Sequence, residues 1–246
     1  MTLSIFNLNC WLFPSPISTD CKTRISAVVG MVRQRNPQII CLQEVWSNKY
    51  LNHLKQKFSD YHCVSSGSSF YNQSGLVIFL KEKPISHKTN HFKLSLKQNF
   101  TEWFLRKGYI EVSIKLNGIE WKIVNTHLYA AFSKKTEIII EEQFLELVSK
   151  IQEKNVILSG DLNLSEEKFN ELNQGKFSRL CDSQNTSDIN NPYGHARFNY
   201  FIMGNKSKKI DYIIYKSALS AESKHEKIKA PFVSDHYPMF CQVSFM

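Results

Sequence analysis

With 246 residues, 42% of them hydrophobic and 13% aromatic, the chain has ample apolar content for a buried core, and 22% charged residues argues against a disordered or fibrous protein. Lysine and arginine outnumber aspartate and glutamate 31 to 22, a formal charge of +9 that favours polyanions or anionic lipid head groups, although no dense basic run marks a binding arm. No stretch approaches the roughly 18 apolar residues of a membrane span, and the start MTLSIFNLNCWLFPSP lacks the cationic beginning and sustained apolar segment of a cleaved leader.

LSIFNLN (3–9) predicts the first strand. RISAVVGMVRQRN (24–36) has a helical period, with Ile25, Val28, Val29 and Val32 on one face and Asn36-Pro37 ending it. QIICLQEV (38–45) predicts a buried strand, 47–58 a second helix and SGLVIFL (74–80) a further strand. GYIEVSIKL (108–116) and EWKIVNTHL (120–128) flank Asn117-Gly118, a hairpin signal that makes the middle of the chain antiparallel. TEIIIEEQFLELVSKIQEK (136–154) is the longest amphipathic helix, and NVILSGDLN (155–163) follows as a strand. The polar stretch 183–208, with His195, Arg197, Tyr200 and Phe201, predicts a long loop, before KIDYIIYK (209–216) and HYPMFCQVSF (236–245) close the chain as strands. Hairpins together with helical crossovers predict an α/β sandwich in one domain spanning 1–246. Six cysteines without a CxxC pair predict reduced thiols in a cytoplasmic protein, with disulfides, which an even count permits, as the alternative in one exported without a cleaved leader.

Polar residues terminate the apolar runs: Asn7, Gln43-Glu44, Asn125-Thr126-His127, Gly160-Asp161-Leu162-Asn163, Asp211 and Asp235-His236. Singly, each has a structural explanation: Asp161 can start a turn, Glu44 can cap a helix and His127 can be a satisfied core imidazole. As a set they ask for more, because buried strand ends penalise carboxylates and imidazoles that are neither paired nor metal-bound. Glu44 with Asn7 offers hard oxygen ligands of the kind magnesium accepts. Two histidines steered by carboxylates can contact a phosphoryl group and move a proton. The constellation points to a phosphate ester.

The ordered set IFNLNCW, LQEVW, NTHL, GDLN, KIDYI and SDHYP, running from residue 5 to 238, resembles the endonuclease/exonuclease/phosphatase superfamily of metal-dependent phosphodiesterases and phosphatases. The resemblance implies a four-layered α/β sandwich, two mixed and mostly antiparallel sheets packed face to face and flanked by helices. It implies magnesium, with manganese or calcium as alternatives, on Asn7 and Glu44. By the same resemblance His127 contacts the scissile phosphate, Asp161 and Asn163 orient or activate the attacking water, and Asp211 and Asp235 support His236, the imidazole at the phosphate. His127, Asn163 and His236 are then the residues that touch substrate, and both Asp161 and His236 stand as candidates for the base.

Within that superfamily, NLNCW with LQEVW, RKGYIEV (106–112) and NTHLYA (125–130) are most similar to the neutral sphingomyelinase branch, which implies a lipid phosphodiester cleaved at its head group. FTEWFLRKGY (100–109) mixes aromatic and cationic side chains as interfacial segments do, consistent with a monomer that meets a membrane from its surface; the alternative places Trp103 and Phe104 in the core. KIDYI replaces the Trp-Cys-Asp-Arg signature of inositol polyphosphate phosphatases, which disfavours that branch. The alternative enzyme is a nuclease or DNA-repair phosphodiesterase, in keeping with the +9 charge, and a third reading is a silent binding module on the same fold.

Overall fold

The computed structural model describes residues 1–14, 17–67, 71–95, 98, 100–130, 134–181, 185–187, 191–193 and 209–246. In chain order the elements are β1 (Thr2–Leu12), α1 (Cys21–Arg35), β2 (Ile39–Val45), α2 (Asn48–Lys57), β3 (His62–Ser65), β4 (Val77–Leu80), β5 (Ser86–His91), α3 (Phe100–Leu105), β6 (Gly108–Leu116), β7 (Ile119–His127), α4 (Lys134–Lys150), β8 (Val156–Asp161), α5 (Glu166–Asn173), β9 (Ser178–Arg179), β10 (Asp211–Lys216), β11 (Ala221–Lys227) and β12 (Met239–Phe245).

Among the described residues the strands form two sheets of six, ordered β11-β12-β1-β2-β4-β3 and β5-β6-β7-β8-β10-β9. Each sheet has one parallel pair near its middle, β1 with β2 and β7 with β8, and its other pairings are antiparallel. Parallel neighbours need a crossover connection, and α1 and α4 supply the two. Helix α1 stops where Asn36 turns left-handed at φ 46° and its N–H returns to Val32 O at 2.7 Å, just before Pro37. The Asn117-Gly118 turn, with φ of 48° and 84°, closes the β6–β7 hairpin as its sequence predicts.

Side-chain alternation sorts the residues into layers. Ile5, Cys41, Ile123, Ile157, Ile213 and Cys241 face the opposite sheet and fill the space between the two. Phe6, Leu8, Ile40 and Leu42 point the other way, onto Ile25, Val28 and Val32 of α1 and Leu51 and Leu54 of α2. Val124, Leu158 and Ile214 do the same on the second sheet, beneath Phe144 and Leu147 of α4 and Phe169 of α5. Helices, sheet, sheet and helices are the four layers that the resemblance implies.

The sequence reading left out four strands, β3, β5, β9 and β11, and these are the four sheet edges. All six cysteines are free, five of them buried. No helix among the described residues is long and apolar enough to cross a membrane. Of the predicted loop 183–208, only 185–187 and 191–193 fall within the described residues; His195, Arg197, Tyr200 and Phe201 lie outside them.

Candidate active site

At the carboxyl ends of the two parallel pairs, the inward-facing series turn from apolar to polar: Ile5-Asn7-Asn9 on β1, Cys41-Gln43 on β2, Ile123-Asn125-His127 on β7 and Ile157-Ser159-Asp161 on β8. Strict alternation aims Glu44 outward after Gln43. A left-handed backbone at Glu44, φ 56°, turns its side chain back into the cleft. Gly75 makes room for that turn, since a Cβ there would sit 3.1 Å from Glu44 Cα and 3.0 Å from the Trp46 ring. Gly160 serves the facing sheet: a Cβ on it would lie 2.0 Å from Thr126 O, so only glycine lets β8 approach β7 one residue before Asp161.

One asparagine joins the two sheets at the centre of the cluster. Asn9 Nδ2 donates to Glu44 Oε1 and to Asp161 Oδ2, each at 3.0 Å. His127 Nε2 lies 3.4 Å from Asp161 Oδ2 and 3.9 Å from Glu44 Oε1. Lys107 Nζ, buried beside Glu102, stands 3.1 Å from His127 Nε2 and donates to Leu128 O at 3.0 Å. His236 Nδ1 is 2.7 Å from Asp211 Oδ2, and its Nε2 is 3.8 Å from Asp161 Oδ2. Asp211 and Asp161 are directly paired across β10 and β8. Asn163, at φ 51°, donates its backbone N–H to Asp161 Oδ1 at 3.0 Å and its Nδ2 to Leu128 O at 3.1 Å.

The segment carrying Asp235 and His236 is held from two sides. Tyr237 N donates to Thr186 O at 2.8 Å, and Ser187 bridges His236. Arg24, fully buried on α1, donates from Nη1 to Cys10 O at 2.8 Å and to Val233 O at 2.9 Å, which ties the end of β1 to the approach of Asp235. Asp235 Oδ1 accepts from Ser234 Oγ at 3.0 Å.

Burial and mutual charge set the protonation of the cluster. Burial, reinforced by the Asp211 charge, lifts the Asp161 carboxyl to about 7. Burial and the Asp235 charge also raise Glu44. For His236 burial works downward, but Asp211, Asp235 and Asp161 together outweigh it and hold the imidazole well above its ordinary value. His127 moves the other way, well below its ordinary value, through burial and then the charges of Lys107 and His236.

Glu44, His127, Asp161, Asn163, Asp211, Asp235 and His236 thus share one cleft. Asn7 is one pleat deeper: its Oδ1 accepts from Gln43 Nε2 at 2.9 Å and Ser159 Oγ at 2.8 Å, and Asn9 stands beside Glu44 instead. The sequence reading missed Asn9 and Lys107, although strand parity along Ile5-Asn7-Asn9 puts both asparagines on the inner face. Trp103 and Phe104 are not core residues: on the short helix α3 Glu102 is buried, and Trp103 and Phe104 are 39% and 61% exposed. Trp46 packs on Phe13 with ring centroids 5.4 Å apart, next to Glu44.

The endonuclease/exonuclease/phosphatase family model matches residues 6–236. Human sphingomyelin phosphodiesterase 2 is 29% identical over 181 residues, 68% of this chain and 42% of that protein, and the Rattus norvegicus protein of the same name is 30% identical over 181 residues, 67% and 42%. The chain therefore spans less than half the length of these curated relatives. Sphingomyelinase C from Streptomyces griseocarneus superposes with a TM-score of 0.82 at 17% identity, over 98% of this chain and 99% of that one. D. rerio TDP2 complexed with a single-strand DNA product superposes with a TM-score of 0.76 at 17% identity, over 99% of each chain. Fold, motif order and the match along nearly its whole length agree: the chain belongs to the endonuclease/exonuclease/phosphatase family, and its resemblance within it is to the neutral sphingomyelinase branch.

Proposed function

We propose that the protein is a divalent-metal-dependent phosphodiesterase that cleaves a lipid phosphodiester of the sphingomyelin class by in-line attack of water. The observation that carries this reading is the Asn9 amide shared between Glu44 on one sheet and Asp161 on the other, with the Asp211–His236 pair beside them.

The residues present fit a hard cation. Glu44 and Asp161 bring carboxylate oxygens to one place, Asp235 adds a third negative charge, and Asp211 Oδ1 is buried without a hydrogen-bond partner among the described residues. Donor atoms of Asp161, Asp211 and His236 also lie within 4.8 Å of one another. The short Asp211–His236 bond already joins two of these three, so the carboxylates of Glu44 and Asp161 would hold the ion, while Asn9, whose Nδ2 faces both and whose Oδ1 accepts from Trp11 N at 3.1 Å, sets their orientation. Bound there, magnesium, manganese or calcium would offset the negative charge that grows on the phosphoryl oxygens.

The chain's own groups divide the rest. Asp161, fixed by the Asn163 backbone N–H, accepts a hydrogen bond from the attacking water and aims it at phosphorus. Asp211 accepts from His236 Nδ1 and holds the ring with Nε2 toward the cleft, and the protonated ring donates from Nε2 to the phosphoryl or leaving oxygen. His127 stays neutral, and Lys107 beside it adds fixed positive charge where the phosphate sits. Asn7 supports this cluster from below.

The lipid substrate is favoured over nucleic acid by α3, which carries the exposed Trp103 and Phe104 next in sequence to Glu102, whose carboxylate lies 3.4 Å from Lys107 Nζ. The nucleic-acid reading rests on the +9 charge. Phosphocholine release from sphingomyelin vesicles and cleavage of single-stranded DNA, each with magnesium and with chelator and at 50 and 200 mM salt, separate the two. Chelator-sensitive phosphocholine release that changes little with salt is the expected result. DNA cleavage that collapses with salt, over inert vesicles, would replace the lipid by nucleic acid.

A further inference from the structure

Directly beneath the cleft lies a polar layer that the reaction does not touch. Asn7, Gln43, Asn125 and Ser159 come from four strands of two sheets and are at most 1% exposed. On β1, β7 and β8 each of them stands two residues before a cleft residue on the same face: Asn7 before Asn9, Asn125 before His127, Ser159 before Asp161. Gln43 directly precedes Glu44. Four hydrogen bonds of this layer cross from sheet to sheet: Gln43 Nε2 to Asn125 Oδ1 at 2.7 Å, Ser159 Oγ to Asn7 Oδ1 at 2.8 Å, and Asn125 Nδ2 to Leu42 O and to Val77 O, both at 2.9 Å.

We propose that Asn7, Gln43, Asn125 and Ser159 are positioning residues, a hydrogen-bonded spacer that fixes the gap between the two sheets under the catalytic cluster, with Asn7 acting here and not as a metal ligand. The inference rests on the catalytic reading of the cluster above it. Deeper in the gap the contacts are apolar, between Ile5, Cys41, Ile123, Ile157 and Ile213. Such contacts are non-directional and tolerate a small slide of one sheet over the other. The cluster does not, because its central bond, Asn9 Nδ2 to Asp161 Oδ2, itself spans the gap. A misplacement of about 1 Å can lower a rate about 100-fold.

As a source of stability the layer is a poor choice. Asn7 Nδ2 and Gln43 Oε1 are buried with no hydrogen-bond partner among the described residues, and apolar side chains of the same shape would fill the space without that penalty. What directional bonds add is one defined separation.

The test compares Ser159→Ala, Ser159→Thr and Gln43→Met with the wild type by kcat and KM at saturating magnesium, by thermal melting, and by the NMR shift and exchange of the Asn9 side-chain amide. The expected result for Ser159→Ala and Gln43→Met is a kcat lowered by about 10- to 100-fold with KM within about twofold, a native melt, and a displaced, faster-exchanging Asn9 amide; Ser159→Thr, which keeps the hydroxyl, recovers both readouts. Wild-type kcat and an unmoved Asn9 amide in Ser159→Ala would overturn the proposal, and that variant decides alone should Gln43→Met not fold. The amide decides even for a protein that hydrolyses no phosphodiester, in which case the catalytic reading falls separately.

Discussion

His127 and His236 both approach Asp161 Oδ2, at 3.4 and 3.8 Å, yet the protein keeps one imidazole neutral and the other charged. Asp211 makes the difference for His236, and Lys107 for His127. Glu44, Asp161 and His236 each bind a proton more tightly folded than unfolded, so each adds stability at low pH that is lost as pH rises through its folded value. For His236 the loss begins above 6.5; for Asp161 it is complete above about 7. His127 has the opposite sign, and its window lies below 6.5. Metal-free protein is therefore expected to unfold at lower urea concentration at pH 8 than at pH 6.5 when assayed in chelator. A midpoint that is flat or rises over that interval contradicts these charge assignments. The motifs named the titrating residues but could not give their states, which depend on which carboxylate each imidazole meets. The same limit applies to Asn7 and Asn9. Both fit the motif and the strand parity, and only the length of β1 beyond its pairing with Gln43 decides which one reaches Glu44.

The central strands were legible because they must bury both faces and so read as apolar runs, and α1, α2 and α4 because their apolar faces recur at the helical period. The four edge strands lack that signal. SHKTNH and AESKHEK are polar, the first exposed over half of its length and the second over most of it, as edges that must not pair with other chains tend to be. Glycine chemistry was also hidden, since the sequence showed Gly160 only as part of GDLN. Its contact with Thr126 O predicts that Gly160→Ala pushes β8 from β7 and costs on the order of 3 kcal/mol, measurable by urea unfolding; a variant within about 0.5 kcal/mol of wild type would mean the strands tolerate the Cβ. The exposure of Trp103 and Phe104 was not legible either, because an aromatic, partly charged segment suits a core edge as well as an interface.

Across the whole molecule, the two sheets each deliver half of the cleft: Asn9, Glu44, Asp235 and His236 come with the first sheet or the segment leading into β12, and Lys107, His127, Asp161, Asn163 and Asp211 with the second. Neither sheet holds a complete site, which explains why motifs scattered from residue 5 to 238 must all be present before the chemistry is visible. The central claim is that Asp161, held between Asn9 and Asn163, directs the water that cleaves a phosphodiester. Its most direct test is phosphocholine release from sphingomyelin vesicles by Asp161→Asn, which keeps the shape and removes the charge, with folding checked by circular dichroism and thermal melting. A folded protein whose kcat is lower by about 100-fold or more is expected. A folded variant with wild-type turnover would contradict it.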